Sequence, residues 1–175
     1  MNLEKEKHTS QKDIKFILDL LNSSKLDEAK KEVEKKIKKY PNSPILLNIS
    51  GAILTAQNKL DEAIESYKNA IKIDPGYAQA YNNLGTTFHK ANKLNEAMDV
   101  YNQAINLKKN FVEVYNNIGN LKCEMGKFLD SFSYFNKAVK IKPDYFEAYN
   151  NLGSAYVSIQ DRDKAIKNFK TAIKI

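Results

Sequence analysis

Asparagine recurs along this chain where a helix former would be expected. Asn48, the pairs Asn82-Asn83, Asn116-Asn117 and Asn150-Asn151, and the nearby Asn120 follow a spacing of 34 residues, and each pair sits between a tyrosine and an apolar residue. A primary amide offers one acceptor and two donors, the complement of the C=O and N–H of a peptide bond. A series of such amides at a fixed repeat can hold an extended peptide by its backbone, with little dependence on its sequence. Asparagine is also a poor residue for the middle of a helix, so its recurrence there needs a cause. Packing or hydration between neighbouring helices is the other cause available, and both stand at this stage.

No other residues assemble a reactive constellation. His8 and His89 stand alone, without Cys, His or acidic neighbours at metal-ligand spacing, so no metal is expected. The glycines are too widely spaced for a phosphate-cradling loop, and no nucleophile pairs with a base. The chain is therefore expected to be non-enzymatic and to need no cofactor. The single cysteine, Cys123, excludes an intrachain disulfide and suits a reducing compartment, as a small buried or edge residue. The start of the chain is charged, and no stretch is apolar enough to cross a bilayer. A cytoplasmic protein is the expectation.

The net charge of +7 suggests nucleic acid, but its composition argues otherwise. Of 28 basic residues only Arg162 is arginine, and the lysines are interleaved with 21 acids. Arginine is the preferred bidentate partner of phosphate and guanine. The densest basic run, Lys30 to Lys39, contains Glu32 and Glu34 and reads as a solvated helix face. No nucleic-acid partner is expected.

The elements that carry the amides repeat with them. Gly51, Gly85, Gly119 and Gly153 share the 34-residue spacing. A mid-helix glycine costs about 1 kcal/mol relative to alanine, so four in one slot imply a packing need. With each glycine at position 8, the units run 44–77, 78–111, 112–145 and an incomplete 146–175. A degenerate unit precedes them at 10–43, after a flexible tail at 1–9. Position 20 is small throughout (Ala29, Ala63, Ala97, Ser131, Ala165) and position 24 is bulky (Val33, Tyr67, Tyr101, Phe135, Phe169). Small facing small predicts close approach of two antiparallel helices, with the bulky residue filling the space beside them. Pro41, Pro75 and Pro143 at position 32 predict where each second helix stops.

Apolar spacing within the units is helical, and no strand pattern appears. Ala80, Tyr81, Leu84 and Phe88 form one stripe in 78–111, and Leu94, Ala97, Tyr101, Ala104 and Ile105 form the second. In the leading unit Ser10 is placed to cap a helix with the stripe Ile14, Ile17, Leu18 and Leu21, and its partner carries Leu26, Ala29, Val33 and Ile37. A period of this length marks stacked supersecondary units, none able to bury its apolar face alone.

The Tyr-Asn-Asn-Leu-Gly segments, the Ala-x-x-x-aromatic segments and the late prolines together resemble the tetratricopeptide repeat family, most fully over 78–101. The resemblance covers 10–175. It implies an all-α, right-handed superhelical solenoid of helix-turn-helix units, with a concave groove lined mainly by first helices. Lys109 in place of proline, Lys122 in place of an aromatic, Ser131 in place of alanine and Arg162 in place of an apolar residue are departures.

The same resemblance turns positions 2, 5, 6, 9, 12 and 13 of each first helix toward the groove. The implied peptide-binding face is Asn82, Asn83, Asn116, Asn117, Asn120, Asn150 and Asn151, with Glu113, Glu147 and Lys90 supplying selectivity beside Glu124. Position 6 is favoured over position 5 as the binding amide. Alanine at Asn117 and Asn151 together is expected to leave stability nearly unchanged while weakening binding. Some family members clamp a partner's C-terminal carboxylate with Lys and Arg at positions 2, 6, 9 and 13. Position 2 here is Ile45, Gln79, Glu113 and Glu147, so that clamp is missing and a basic or hydroxyl-rich partner fits better.

The leading expectation is a non-catalytic adaptor that holds an extended protein or peptide segment. The Asn-lined groove is also similar to the repeat region of protein O-linked N-acetylglucosaminyltransferases. That likeness implies, as an alternative, the substrate-recruiting front of a glycosyltransferase or sulfotransferase continuing past residue 175. A third expectation is a scaffold that self-associates through the C-terminal helix, whose Ile166, Phe169 and Ile173 precede no polar cap.

Overall fold

The computed structural model describes residues 10–175, and the tail at 1–9 lies outside them. Among the described residues the chain is helical, with no strand. The helices are α1 (Gln11–Asn22), α2 (Leu26–Lys39), α3 (Pro44–Ala56), α4 (Leu60–Ile73), α5 (Ala78–Lys90), α6 (Leu94–Leu107), α7 (Val112–Glu124), α8 (Phe128–Ile141), α9 (Phe146–Ser158) and α10 (Arg162–Lys174). Two compact units divide them, one running to Val100 and the other Tyr101–Ile175.

Among the described residues, three helix starts are capped by a side chain. Ser10 accepts the Asp13 backbone N–H at 3.1 Å, the cap expected for α1. Ser43 caps α3 through Leu46 N–H, and Pro44 takes the first turn, where a missing N–H costs nothing. Asp161 caps α10 by accepting Lys164 N–H at 3.2 Å.

The turns inside the repeats share one geometry that is only half visible in the residue types. Ser24, Asn58, Asn92, Gly126 and Gln160 all occupy the left-handed region, with φ between 58° and 71°. After each, the next N–H reaches back to the first helix, as in Lys59 to Leu54 O (2.9 Å) and Lys127 to Lys122 O (2.8 Å). The left-handed residue itself donates to the carbonyl three before it, as Asn58 does to Thr55. This pairing satisfies the last carbonyls of the first helix and reverses the chain. α2, α4 and α8 stop two residues before Pro41, Pro75 and Pro143, and one second helix stops without a proline. α6 ends at Leu107 although Lys109 occupies the proline slot, and Phe111 N–H bonds Lys108 O at 3.2 Å as Tyr145 N–H bonds Lys142 O at 3.1 Å.

In the first unit α1 packs on α2, α2 on α3, α3 on α4 and α4 on α5, while first helices also touch: α1 with α3, α3 with α5. Its N-terminal core gathers Ile17, Leu20, Ala29, Val33, Leu46, Ile49 and Ile53, with Ile14, Leu21 and Ile37 against it. Leu18 departs from the expected stripe. It is 40% exposed, because Ile14, Ile17 and Leu21 already define the inward face and Leu20 completes it. The second unit repeats the plan through α7, α8, α9 and α10, with α7 also touching α9.

The glycine slot differs from the small-on-small contact expected of it. A Cβ on Gly51 would meet the Tyr67 ring at 2.7 Å, one on Gly153 would meet the Phe169 ring at 2.6 Å, and Phe135 covers Gly119 in the same way. The glycine is thus the seat of the position-24 ring. The position-20 residue is buried in every repeat but is not what the glycine makes room for. Two of the other departures, Ser131 and Lys122, are accommodated. Buried Ser131 donates to Phe128 O at 2.7 Å, and half-buried Lys122 reaches Asp130 at 3.9 Å.

Candidate functional site

Helical spacing puts positions 2, 6, 9 and 13 on one face of a first helix. On α7 these are Glu113, Asn117, Asn120 and Glu124, and on α9 they are Glu147, Asn151, Ser154 and Ser158. On α3 the same positions hold Ile45, Ile49, Ala52 and Ala56, and on α5 Gln79, Asn83, Thr86 and Lys90.

The amides divide into two groups. At position 5, Asn48, Asn82 and Asn116 are buried at 7, 8 and 6% exposure. Asn83 Nδ2 donates to Asn48 Oδ1 at 2.9 Å, and Asn151 Nδ2 donates to Asn116 Oδ1 at the same 2.9 Å. The position-6 amide of one repeat therefore staples the position-5 amide of the repeat before it. Asn83 Oδ1 in turn accepts from Gln79 Nε2 at 3.0 Å, and Asn82 and Asn117 are engaged too. One such bond contributes about 1 kcal/mol net, against at most about 0.7 kcal/mol of helix propensity for each of the two asparagines it joins. The staple thus offsets most of the propensity cost of the pair.

Outside the staple lie Asn120 and Asn150. Asn120 is half-buried and has no hydrogen-bond partner among the described residues, and Asn150 is exposed. Glu113 and Glu147 make no ion pair among the described residues. Both reach Tyr145 electrostatically: burial raises the pKa of its phenol, and the charges of Glu147 and then Glu113 raise it further. The second unit thus presents a negative, amide-bearing face.

The first unit is different. Small side chains on α3 open a cavity of about 230 Å³ between α3 and α5. Ala52, Thr55, Ala56, Asn83, Thr86, Thr87 and Lys90 line it, and Tyr67 of α4 contributes as well. Thr55 Oγ1 lies 3.0 Å from Thr87 Oγ1 and 3.4 Å from the Tyr67 hydroxyl, and Thr87 Oγ1 is 2.9 Å from Asn83 O. Position spacing marks Lys90 and Asn83; it misses the hydroxyl cluster beneath them, because Thr55, Thr87 and Tyr67 do not share a helix face.

No group of three or more His, Cys, Asp or Glu side chains placed to hold a metal occurs among the described residues. None of their helices is long and apolar enough to cross a membrane.

The repeat pattern also meets known families. The TPR repeat matches residues 51–92 and 87–126, and the tetratricopeptide repeat matches 111–175. The chain belongs to the tetratricopeptide repeat family. Among solved structures it is similar to MamA, at 28% identity and a TM-score of 0.75, over 89% of this chain and 91% of that one. The pilF protein of Pseudomonas aeruginosa superposes with a TM-score of 0.84 at 18% identity, over 93% of this chain and 74% of the other. YrrB, described as a TPR protein with an unusual peptide-binding site, aligns at 20% identity and a TM-score of 0.67, over 98% and 87%. No curated protein matches the sequence. The fold class is accordingly the all-α tetratricopeptide solenoid, and modules of this kind typically mediate protein or peptide interaction.

Proposed function

We propose that this chain is a non-catalytic adaptor that holds an extended peptide against its first helices. The observation that carries the proposal is the face of α7 and α9, where Glu113 and Glu147 lack cationic partners and Asn120 has an unused amide. Asn120, with the capacity left on Asn117, Asn150 and Asn151, meets the peptide backbone. Glu113 and Glu147 select a lysine or arginine side chain. Buried Asn116, bonded to Asn151, stands behind that surface and holds the register of α7 and α9. On the first unit Asn83 and Lys90 belong to a separate face, where the charge is positive.

A positional-scanning peptide array tests this, with wild type run beside a Glu113→Gln, Glu147→Gln, Asn120→Ala variant. These side chains lie outside the staple, so the variant keeps its melting temperature. Peptides rich in lysine or arginine are expected to bind wild type and to lose at least tenfold in affinity on the variant. Equal binding by both proteins would overturn the assignment of this face.

Self-association through α10 is the alternative, and a specific observation favours it: Ile166 is 52% and Ile173 85% exposed, while the equivalent Phe132 and Val139 one repeat earlier are half-buried under α9.

A further inference from the structure

The cavity between α3 and α5 has a chemistry of its own, and its role as a subsite rests on the adaptor function already proposed. Its wall on α3 is made by Ala52, Thr55 and Ala56, and on α5 by Thr86 and Lys90, with Tyr67 below. Asp and Glu are absent from the lining. Lys90 is exposed and makes no ion pair among the described residues. At about 230 Å³ the cavity is smaller than the roughly 300–1,000 Å³ of small-molecule sites, so it suits one side chain of a longer ligand.

The equivalent positions in the second unit explain why the cavity belongs to the first. There Asn120, Cys123 and Glu124 replace Ala52, Thr55 and Ala56, and Phe135 replaces Tyr67. Asn120 and Glu124 are larger than the alanines they replace, the phenol is missing, and a carboxylate stands where the first unit has a methyl group.

We propose that this cavity is a subsite for the carboxylate side chain of a glutamate or aspartate within the bound peptide. The Lys90 ammonium pairs with the carboxylate at the rim, and the acid's methylene groups lie on Ala52 and Ala56. The Thr55 and Thr86 hydroxyls donate to Gly51 O at 2.9 Å and Asn82 O at 3.1 Å, and each turns its proton toward an incoming oxygen by giving up that bond. Tyr67 is 2% exposed, and burial raises its pKa despite hydrogen bonds that lower it, so the phenol stays a neutral donor at and above neutral pH. The anion recognised is internal to the peptide. A chain terminus would need the cationic clamp that Ile45 and Gln79 do not supply.

The test uses the full chain and the array peptides that wild type retains. Each retained peptide containing Glu or Asp is resynthesised with Gln or Asn at that position, and both forms are titrated by fluorescence anisotropy against wild type and Lys90→Met. The acidic form is expected to bind wild type at least tenfold more tightly than its amide form, and the two are expected to bind Lys90→Met alike. Thr55→Val is expected to narrow the wild-type ratio in part. Acidic and amide forms binding wild type equally would overturn the subsite and leave the adaptor function standing. An array on which wild type retains no peptide would overturn both. Lys90 is exposed, so Lys90→Met is expected to melt with wild type, and that melt accompanies the titration.

Discussion

At the scale of single residues, position 8 shows how far side-chain size decides stability here. Gly119→Ala gains about 1 kcal/mol of helix propensity but drives a methyl group into the Phe135 ring, which is fully buried. Overpacking of this kind costs about 1–3 kcal/mol, and a ring held on all sides has little room to yield. The variant is therefore expected to be less stable in urea by about 1–2 kcal/mol. Adding Phe135→Leu should recover part of that loss, because the smaller side chain no longer occupies the glycine seat. A Gly119→Ala chain at least as stable as wild type would contradict the ring-on-glycine contact. The glycine spacing was legible in the sequence, but its partner was not: position 20 and position 24 are both compatible with a small slot, and only the rotation of the second helix decides between them. The asparagines behave in the same way. Their recurrence was plain, whereas a bond between residues 35 apart, Asn116 and Asn151, depends on how successive repeats are stacked. That bond also changes what alanine does. Asn151→Ala strands the buried Asn116 oxygen, so a cost of about 1–3 kcal/mol replaces the near-neutral effect expected from sequence.

At the scale of elements, the five left-handed turns form an internal experiment. Glycine and asparagine tolerate that conformation, and Asn58, Asn92 and Gly126 follow the rule. Ser24 and Gln160 do not, yet they close the same turn with the same backbone bonds, so the helix-turn-helix geometry overrides local preference. This is why the turn at Gln160 was not legible beyond its polarity. A left-handed L-residue costs about 1–2 kcal/mol, partly offset by the greater unfolded freedom of glycine. Gln160→Gly should accordingly stabilise the second unit by about 0.5–1 kcal/mol. Gly126→Ala should destabilise the same unit by a similar amount. Nothing lies within 4 Å of a Cβ at Gly126, so the effect there comes from the backbone alone. Urea titrations followed by circular dichroism check both variants, and shifts of the same sign would contradict this account of the turns.

At the scale of the molecule, the exposed face of α10 and the net charge of +7 act against each other. In the second unit Phe132 stacks on Tyr156 with ring centroids 4.3 Å apart, and Val139 packs in the same cluster. Ile166 and Ile173 occupy the same register one repeat later without such cover, and Asn150 lacks the amide bond that Asn116 receives. The face thus has the apolar pair and the polar acceptor that a further helix would engage, and a second copy of the chain can supply one. Lys167, Lys170 and Lys174 are exposed on the same helix and repel a like-charged copy. Repulsion between exposed charges is screened over about 8 Å at physiological salt and about 3 Å at 1 M, whereas apolar contact is not weakened by that screening. Mass measured by light scattering is therefore expected to rise with protein concentration, and to rise more steeply in roughly 0.5 M salt than in roughly 0.05 M. Ile166→Lys with Ile173→Lys should remove the concentration dependence at both salts, and these exposed positions leave the fold unaffected. A wild-type chain that stays monomeric at high concentration and high salt would show that the α10 face does not pair with its own kind, leaving peptide capture by the first helices as the function to pursue.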